Sequence, residues 1–235
     1  MSAQLVCCRN TDFQNIQPQS LPETSPAGDA LIVAQKIMQF VHQVVLYSPN
    51  NPNRSPELRA ITSAEEQMRR VVKINNTLGA IYDKINRIIQ GKVLTFALWF
   101  EHIVPLVQRY QVGNCSEMAA VGLQYAIDHS VIHRVEMFSI EGGDSDHVFL
   151  VIGRDPQSQP SDYRSWGAAA VCDPWASSCF YAKEIENRLV TAVRKAPYVM
   201  VTKPFDPAIH RLNFYDPDAI YYPFQDPFLD DERWY

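Results

Sequence analysis

Apolar residues recur at steps of three and four along three segments in the first half of the chain, which begin at Asp29, Ser63 and Val93. This period places the apolar side chains on one side of a helix. Ser63 and Glu66 form the Ser-x-x-Glu pattern of a capping box, and Gly91 is a typical residue just after a helix end. The first half of the chain is therefore predicted to be helical.

A fourth helical pattern starts at Cys115, directly after the turn-forming pair Gly113-Asn114. Its apolar side is predicted to comprise Cys115, Met118, Ala119, Gly122, Leu123, Ala126 and Ile127. Several of these side chains are small, which suits a helix that packs closely against a sheet.

Beyond residue 130 the pattern changes to short runs rich in β-branched residues, which are typical of strands. Such runs begin at Val131, His147, Ala168 and Tyr198, and the last is predicted to be the final strand. The segment 182–195 has apolar residues at helical spacing and is predicted to be a helix. Helices followed by strands, without βαβ alternation, predict an α+β fold.

Composition divides the chain into three parts. Residues 1–28 are rich in Gln, Ser, Pro and Asn and carry too little apolar surface to order themselves, which predicts a flexible leader. Residues 29–213 are predicted to form a single catalytic domain, with a helical part over 29–110 and a core over 111–205. Residues 214–235 form an aromatic, acidic tail rich in proline, which either wraps over the core or stays loose.

The charge and the cysteine pattern exclude several functional classes. The net charge is −5 and no basic tract is present, so no nucleic-acid partner is expected. The longest apolar run is too short to span a bilayer, and the N-terminus lacks the pattern of a Sec signal peptide. Five cysteines without zinc-site spacing predict neither a disulfide framework nor a metal, and no cofactor is expected. Cys7 and Cys8 offer acylation sites, but membrane attachment would need a second signal.

Three residues of complementary chemistry follow one another along the chain. Cys115 starts a predicted helix, whose positive end favours a thiolate. His147 starts a predicted strand, and imidazole is the base that holds a thiolate as an ion pair. Asp173 ends a predicted strand, where a carboxylate can orient the imidazole. Each residue alone is ordinary, but their types, order and predicted elements together indicate a nucleophile, a base and an orienting acid.

The flanking residues suggest additional roles. The backbone N–H groups around Cys115 are suited to stabilise an oxyanion, and Asn114 or Gln111 offers a side-chain donor for the same purpose. Trp175 is expected either to wall the substrate pocket or to belong to the core. Cys172 adjoins Asp173 on a strand, so alternation predicts that it points into the core while Asp173 faces the site.

Three motifs carry a resemblance to a known superfamily: "GNCSEMA", "DHVFLVIG" and "VCDPWA". Residues 100–205 resemble the papain-like and transglutaminase-like Cys-His-Asp enzymes, and in particular the catalytic domains of bacterial toxin and effector glutamine deamidases. The resemblance implies a nucleophile-bearing helix packed on a small antiparallel sheet, with Cys115 as nucleophile, His147 as base and Asp173 as orienting acid. The papain signature around the cysteine is absent and the third residue is Asp rather than Asn, which favours the deamidase side over a papain-type protease.

Three functions remain open at this stage. The first is a glutamine deamidase or transamidase that acts on a host protein through a thioester, as an effector delivered to the host cytosol by a specialised, non-Sec system. The second is a cysteine protease with the same acyl-enzyme chemistry. The third is a non-enzymatic interaction module that binds through the aromatic tail from Phe214.

Overall fold

The computed structural model describes residues 29–51, 56–90, 92–142, 147–196 and 199–215. The predictions for the leader, and for the tail beyond Tyr215, lie outside these ranges. The described helices are α1 (Ala30–Val44), α2 (Pro56–Arg59), α3 (Ala64–Ile89), α4 (Phe96–Tyr110), α5 (Cys115–Asp128) and α6 (Ile185–Arg188). The described strands are β1 (Val135–Glu141), β2 (His147–Ile152), β3 (Ala170–Asp173), β4 (Ser178–Tyr181), β5 (Val190–Ala196), β6 (Val199–Pro204) and β7 (Arg211–Phe214). Helices α1 to α5 precede the first strand, and the fold is α+β as predicted.

The helices begin where the sequence places good capping residues. Asp29, Ser63 and Thr95 each accept a hydrogen bond from a first-turn backbone N–H, at 2.9, 3.4 and 3.2 Å. These bonds satisfy donors that a helix start otherwise leaves without a partner. Among the described helices, none combines the length and apolar character that a bilayer crossing requires.

Five strands form one antiparallel sheet in the order β4-β3-β2-β1-β7, and β5 pairs with β6 in a separate hairpin. In the central pairing, Leu150 of β2 lies opposite Cys172 of β3. Because the two strands are antiparallel, the start of β2 and the end of β3 lie at the same end of the sheet. This topology brings His147 and Asp173 together.

The sheet buries a hydrophobic cluster on each face. Val148, Leu150 and Cys172 belong to a cluster shared with α1 and α5. Phe149 and Val171, at the alternate positions, belong to a second cluster, which includes Trp166, Phe180 and Phe205. This alternation follows directly from the two-residue period of a strand.

Gly122 sets how closely α5 approaches the sheet. A Cβ added to Gly122 would lie 2.7 Å from Leu150 Cδ1 and 2.8 Å from Ile37 Cγ2, so β2 and α1 occupy the space that a side chain would need. The neighbouring Met118 and Ala119 are fully buried in the same contact. The small-residue side of the predicted helix therefore packs on the sheet as expected.

Three details of the prediction were wrong. Only Ile185–Arg188 of the segment 182–195 is α-helical, preceded by one 3-10 turn, because the β-branched run from Val190 pairs with β6. The strand from Val199 is not the last one, since β7 follows and pairs with β1. Ile127 is 58% exposed, because it lies about 100° around the helix from the buried Ala126.

We predict that Gly122→Val lowers the free energy of unfolding by about 1–3 kcal/mol, because the new side chain overpacks a buried contact. Urea denaturation measures this change. Ala80→Val adds similar volume at an exposed position of α3, and its effect should stay near about 0.5 kcal/mol. Equal stabilities for the two variants would contradict the close approach.

Candidate functional site

Cys115 is the first residue of α5 and is 7% exposed. Asn114 precedes it in extended conformation as the N-cap. Gly113 is needed at the turn, because a Cβ there would lie 2.8 Å from the Cβ of Glu117. The thiol therefore lies at the positive end of a helix, where developing negative charge is stabilised.

Glu117 locks the first turn of α5. Its buried carboxylate accepts a hydrogen bond from the backbone N–H of Asn114 at 2.7 Å and another from the Ser116 hydroxyl at 2.9 Å. The phenol of Tyr82, on α3, donates to the same carboxylate. These bonds fix the backbone on both sides of Cys115 and tie it to the helical part of the domain.

His147 and Asp173 form a buried pair at the end of the sheet. The imidazole Nε2 lies 2.7 Å from Asp173 Oδ2, and both side chains are at most 1% exposed. The other ring nitrogen, Nδ1, is buried, and the only hydrogen bond open to it among the described residues is with the Cys115 side chain. Because Nε2 is already engaged, Nδ1 is the nitrogen left for the Cys115 thiol.

The protonation of His147 reflects this environment. Complete burial by itself lowers the pKa of the imidazole, because it disfavours the charged form. The negative charge of Asp173 and the hydrogen bond to it act in the opposite direction, and Cys115 reinforces them. Together they outweigh burial and raise the pKa of His147 to about 10. This upward shift favours the imidazolium form of the ring beside the thiol at neutral pH.

The carboxylate of Asp173 is itself held in place. Its Oδ1 accepts a hydrogen bond from the backbone N–H of Ala176 at 2.9 Å, so both carboxylate oxygens are occupied. On α1, His42 Nε2 lies 2.8 Å from the carbonyl oxygen of Pro174, the residue after the acid. The turn that follows β3 is thus fastened to the helical part of the domain.

Trp175 packs against the ring of His147. Its ring centroid lies 5.2 Å from that of His147 at an interplanar angle of 59°, and the side chain is 2% exposed. Its indole Nε1–H donates to Asn50 Oδ1 at 2.9 Å. Trp175 is therefore a buried core residue that packs beside His147. Its predicted role as a wall of a substrate pocket stays a prediction. An apolar ring at this place lowers the local dielectric and so strengthens the electrostatic interaction between His147 and Asp173.

The two predicted oxyanion donors have structural tasks. Asn114 Oδ1 lies 3.0 Å from the Ser48 hydroxyl. Gln111 adopts the left-handed conformation that ends α4, with φ of 58°, and its carbonyl oxygen accepts two backbone bonds at 3.0 Å. The role of either side chain in binding an oxyanion stays a prediction, as does that of the backbone N–H groups around Cys115.

The other described cysteines lie apart from the pair. Cys172 is fully buried, faces α1 and donates to the Ala34 carbonyl at 3.2 Å, which confirms that it points into the core. Burial raises the pKa of its thiol well above the ordinary value, so it stays protonated and inert. Cys179 lies opposite it on β4, with its Sγ 3.6 Å from Met38 Sδ.

A groove of about 520 Å³ lies elsewhere, along α3 and the end of α4. It is lined by Arg69, Val72, Lys73, Asn76, Thr77, Ala80, Ile81, Lys84 and Tyr110. None of the three candidate catalytic residues borders it, so the groove is separate from the buried pair of His147 and Asp173. No cluster of three or more His, Cys, Asp or Glu side chains in the described ranges is arranged to bind a metal ion.

The sequence did not reveal the residues that support the site. They are His42, Ser48, Asn50, Asn51, Tyr82 and Glu117. Asn114 and Glu117 form a capping box, which the spacing of apolar residues does not indicate. Asn50 and Asn51 stand in a run rich in Pro and Asn that is typical of a turn, and nothing local indicates their distant partners.

We predict that His147 in the wild-type protein stays protonated well above neutral pH, with a pKa near 10, as followed by NMR of ¹⁵N-labelled histidine side chains. Asp173→Asn removes the larger charge effect and should lower this pKa strongly, because burial then dominates. Cys115→Ala removes a smaller contribution and should lower it less. A His147 ring that is neutral at pH 7 in the wild type would contradict this picture of the site.

The family to which this site belongs is not revealed by comparison with known proteins. The chain matches no known family model, and neither a curated protein nor a solved structure is similar to it. The chemistry assigned to the site therefore rests on its own geometry. The decisive contact is the bond between His147 Nε2 and Asp173 Oδ2, which leaves Nδ1 for the thiol.

Proposed function

We propose that this protein is a cysteine hydrolase of protein amides, and most specifically a glutamine deamidase with a papain-like or transglutaminase-like core. The observation that supports this is the buried His147–Asp173 pair, 2.7 Å apart, beside the thiol at the start of α5. A structural cysteine needs neither an adjacent imidazolium nor a helix N-terminus. A nucleophilic cysteine benefits from both.

Acylation begins with the Cys115 thiolate, which attacks the side-chain carbonyl carbon of a substrate glutamine. The carbonyl oxygen becomes an oxyanion, and N–H donors at the start of α5 stabilise it. The C–N bond then breaks, and His147 Nδ1 donates its proton to the departing ammonia. A thioester on Cys115 remains. Asp173 keeps the ring oriented and compensates its charge throughout.

Deacylation uses the same groups in reverse. A water molecule loses a proton to His147 Nδ1 and attacks the thioester carbon. The thiolate leaves and the substrate carries a glutamate in place of glutamine. An amine in place of water gives transamidation. Overall, an amide and a water molecule become a carboxylate and ammonium, and no cofactor takes part.

A cysteine protease is the alternative, since an identical acyl-enzyme forms from a peptide bond. We favour the deamidase because the sequence around Cys115 lacks the papain signature and the orienting residue is Asp173 rather than Asn. We further propose that the protein is an effector delivered into a host cell, where the substrate is a host protein. The interaction-module hypothesis assigns no role to a buried imidazolium beside a thiol.

We predict that expression of the wild-type chain in host cells produces a target protein heavier by about one dalton per converted glutamine, as found by peptide mass mapping. Cys115→Ala should abolish the change, and Asp173→Asn should reduce the rate by a factor of about 10²–10⁴, because the ring loses its orientation and charge compensation. Cys179→Ala is the matched control and should retain activity, because this thiol lies on β4 beside Met38.

Fragments with new termini in place of the mass change would identify the protease alternative. A mass change that persists in Cys115→Ala would eliminate both enzymatic proposals. An absence of covalent change, together with capture of a host protein by wild type and Cys115→Ala alike, would support the interaction module.

A further inference from the structure

A polar segment connects the two sides of the site. This segment, residues 48–51, follows α1 and is called the strap. Its N-terminal end is fastened to the turn before Cys115. Leu46 N and Tyr47 N both donate to the Gln111 carbonyl at 3.0 Å, and Gly113 N donates to the Tyr47 carbonyl at 3.0 Å. A displacement of the strap would therefore displace the turn that precedes α5.

The strap also holds the N-cap of α5. The fully buried Ser48 hydroxyl lies 3.0 Å from Asn114 Oδ1 and 2.9 Å from Asn50 Oδ1, so its single proton is shared between the two amide oxygens and forms a bridge between them. The backbone N–H of Asn50 also points to Asn114 Oδ1, at 3.5 Å. Asn114 directly precedes the nucleophile, so this bridge fixes where the helix begins.

The other end of the strap holds Trp175. Asn50 Oδ1 accepts the indole Nε1–H at 2.9 Å, and Asn51 Nδ2 donates to the Trp175 carbonyl at 3.0 Å. Both the ring and the backbone of Trp175 are therefore anchored to the strap. The centroid of the same ring lies 5.2 Å from the centroid of the His147 ring, whose Nε2 is bonded to Asp173.

We infer that Asn50 is a positioning residue, which acts through Trp175 to hold the His147 ring at the correct place beside Cys115. One oxygen, Asn50 Oδ1, accepts from the Ser48 hydroxyl and from the Trp175 indole. It therefore connects the contacts before Cys115 with the ring that packs against His147. Without it the indole loses its only described side-chain hydrogen bond, and water gains access to the buried pair. This inference rests on the proposed function, because it assumes that Cys115 and His147 react together.

Alkylation of Cys115 by iodoacetamide, followed by peptide mapping across pH, tests the inference without a substrate. Asn50→Ala should slow alkylation at pH 7 by about three- to tenfold and move the rise of the rate to higher pH, because the thiolate loses its well-placed imidazolium. Asn50→Asp keeps an acceptor oxygen and should restore most of the rate. Asn76→Ala, an exposed substitution on α3, is the matched control and should leave the rate unchanged.

Trp175→Phe keeps an aromatic cover but removes the Nε1–H donor. It should slow alkylation as much as Asn50→Ala does, and the double variant should be no slower than either single variant, since both substitutions break the same bond. Multiplied effects in the double variant, or an Asn50→Ala rate equal to that of Asn76→Ala, would overturn the inference alone. If wild-type Cys115 reacts no faster than Cys179, the proposed function fails and the inference fails with it.

Discussion

His147 and Asp173 form a buried ionic hydrogen bond, and the residues around it must stabilise both groups away from water. Removing two charges from water costs several kcal/mol per ion, about as much as a whole domain can spare. The attraction between the two groups compensates only if the geometry is good and the remaining polar atoms are satisfied. The Ala176 N–H occupies the second carboxylate oxygen, and the buried Trp175 indole packs against the His147 ring. The one polar atom left over, Nδ1, is the atom that the proposed chemistry uses.

The helical part of the domain provides the supports that the sheet alone lacks. The turn after Asp173 joins β3 to β4 and is closed by the pairing of Asp173 with Ser178, and contacts from the helices add to this. His42 of α1 and the strap bind successive carbonyl oxygens of this turn, at Pro174 and Trp175. Tyr82 of α3 does the same for the start of α5 through Glu117. The helices thus do more than fill the core, since they position both halves of the site against each other.

The spacing of apolar residues predicted the helix and the strands that carry the candidate site, but not the polar residues that hold them in place. The helix that starts at Cys115 and the strand that starts at His147 have clear patterns over many residues, and their neighbours in space confirm them. Segment 182–195 failed because a short apolar run suits either period, and pairing with β6 decided the outcome. The bond between Asn50 and Trp175 joins residues 125 positions apart, so no local pattern records it. Long-range polar contacts of this kind become visible only when the chain is folded.

The register of β3 has a consequence for how this sequence tolerates change over evolution. Cys172 and Asp173 are neighbours in the chain but face opposite sides of the sheet, one toward α1 and one toward His147. A substitution elsewhere in the strand changes the packing of one side chain and leaves the orientation of the others unchanged. An insertion or deletion of one residue would exchange the two faces at once, placing a carboxylate in the apolar core and a thiol beside the imidazole. Related chains are therefore expected to vary in length in the loops that flank β3 and never within it.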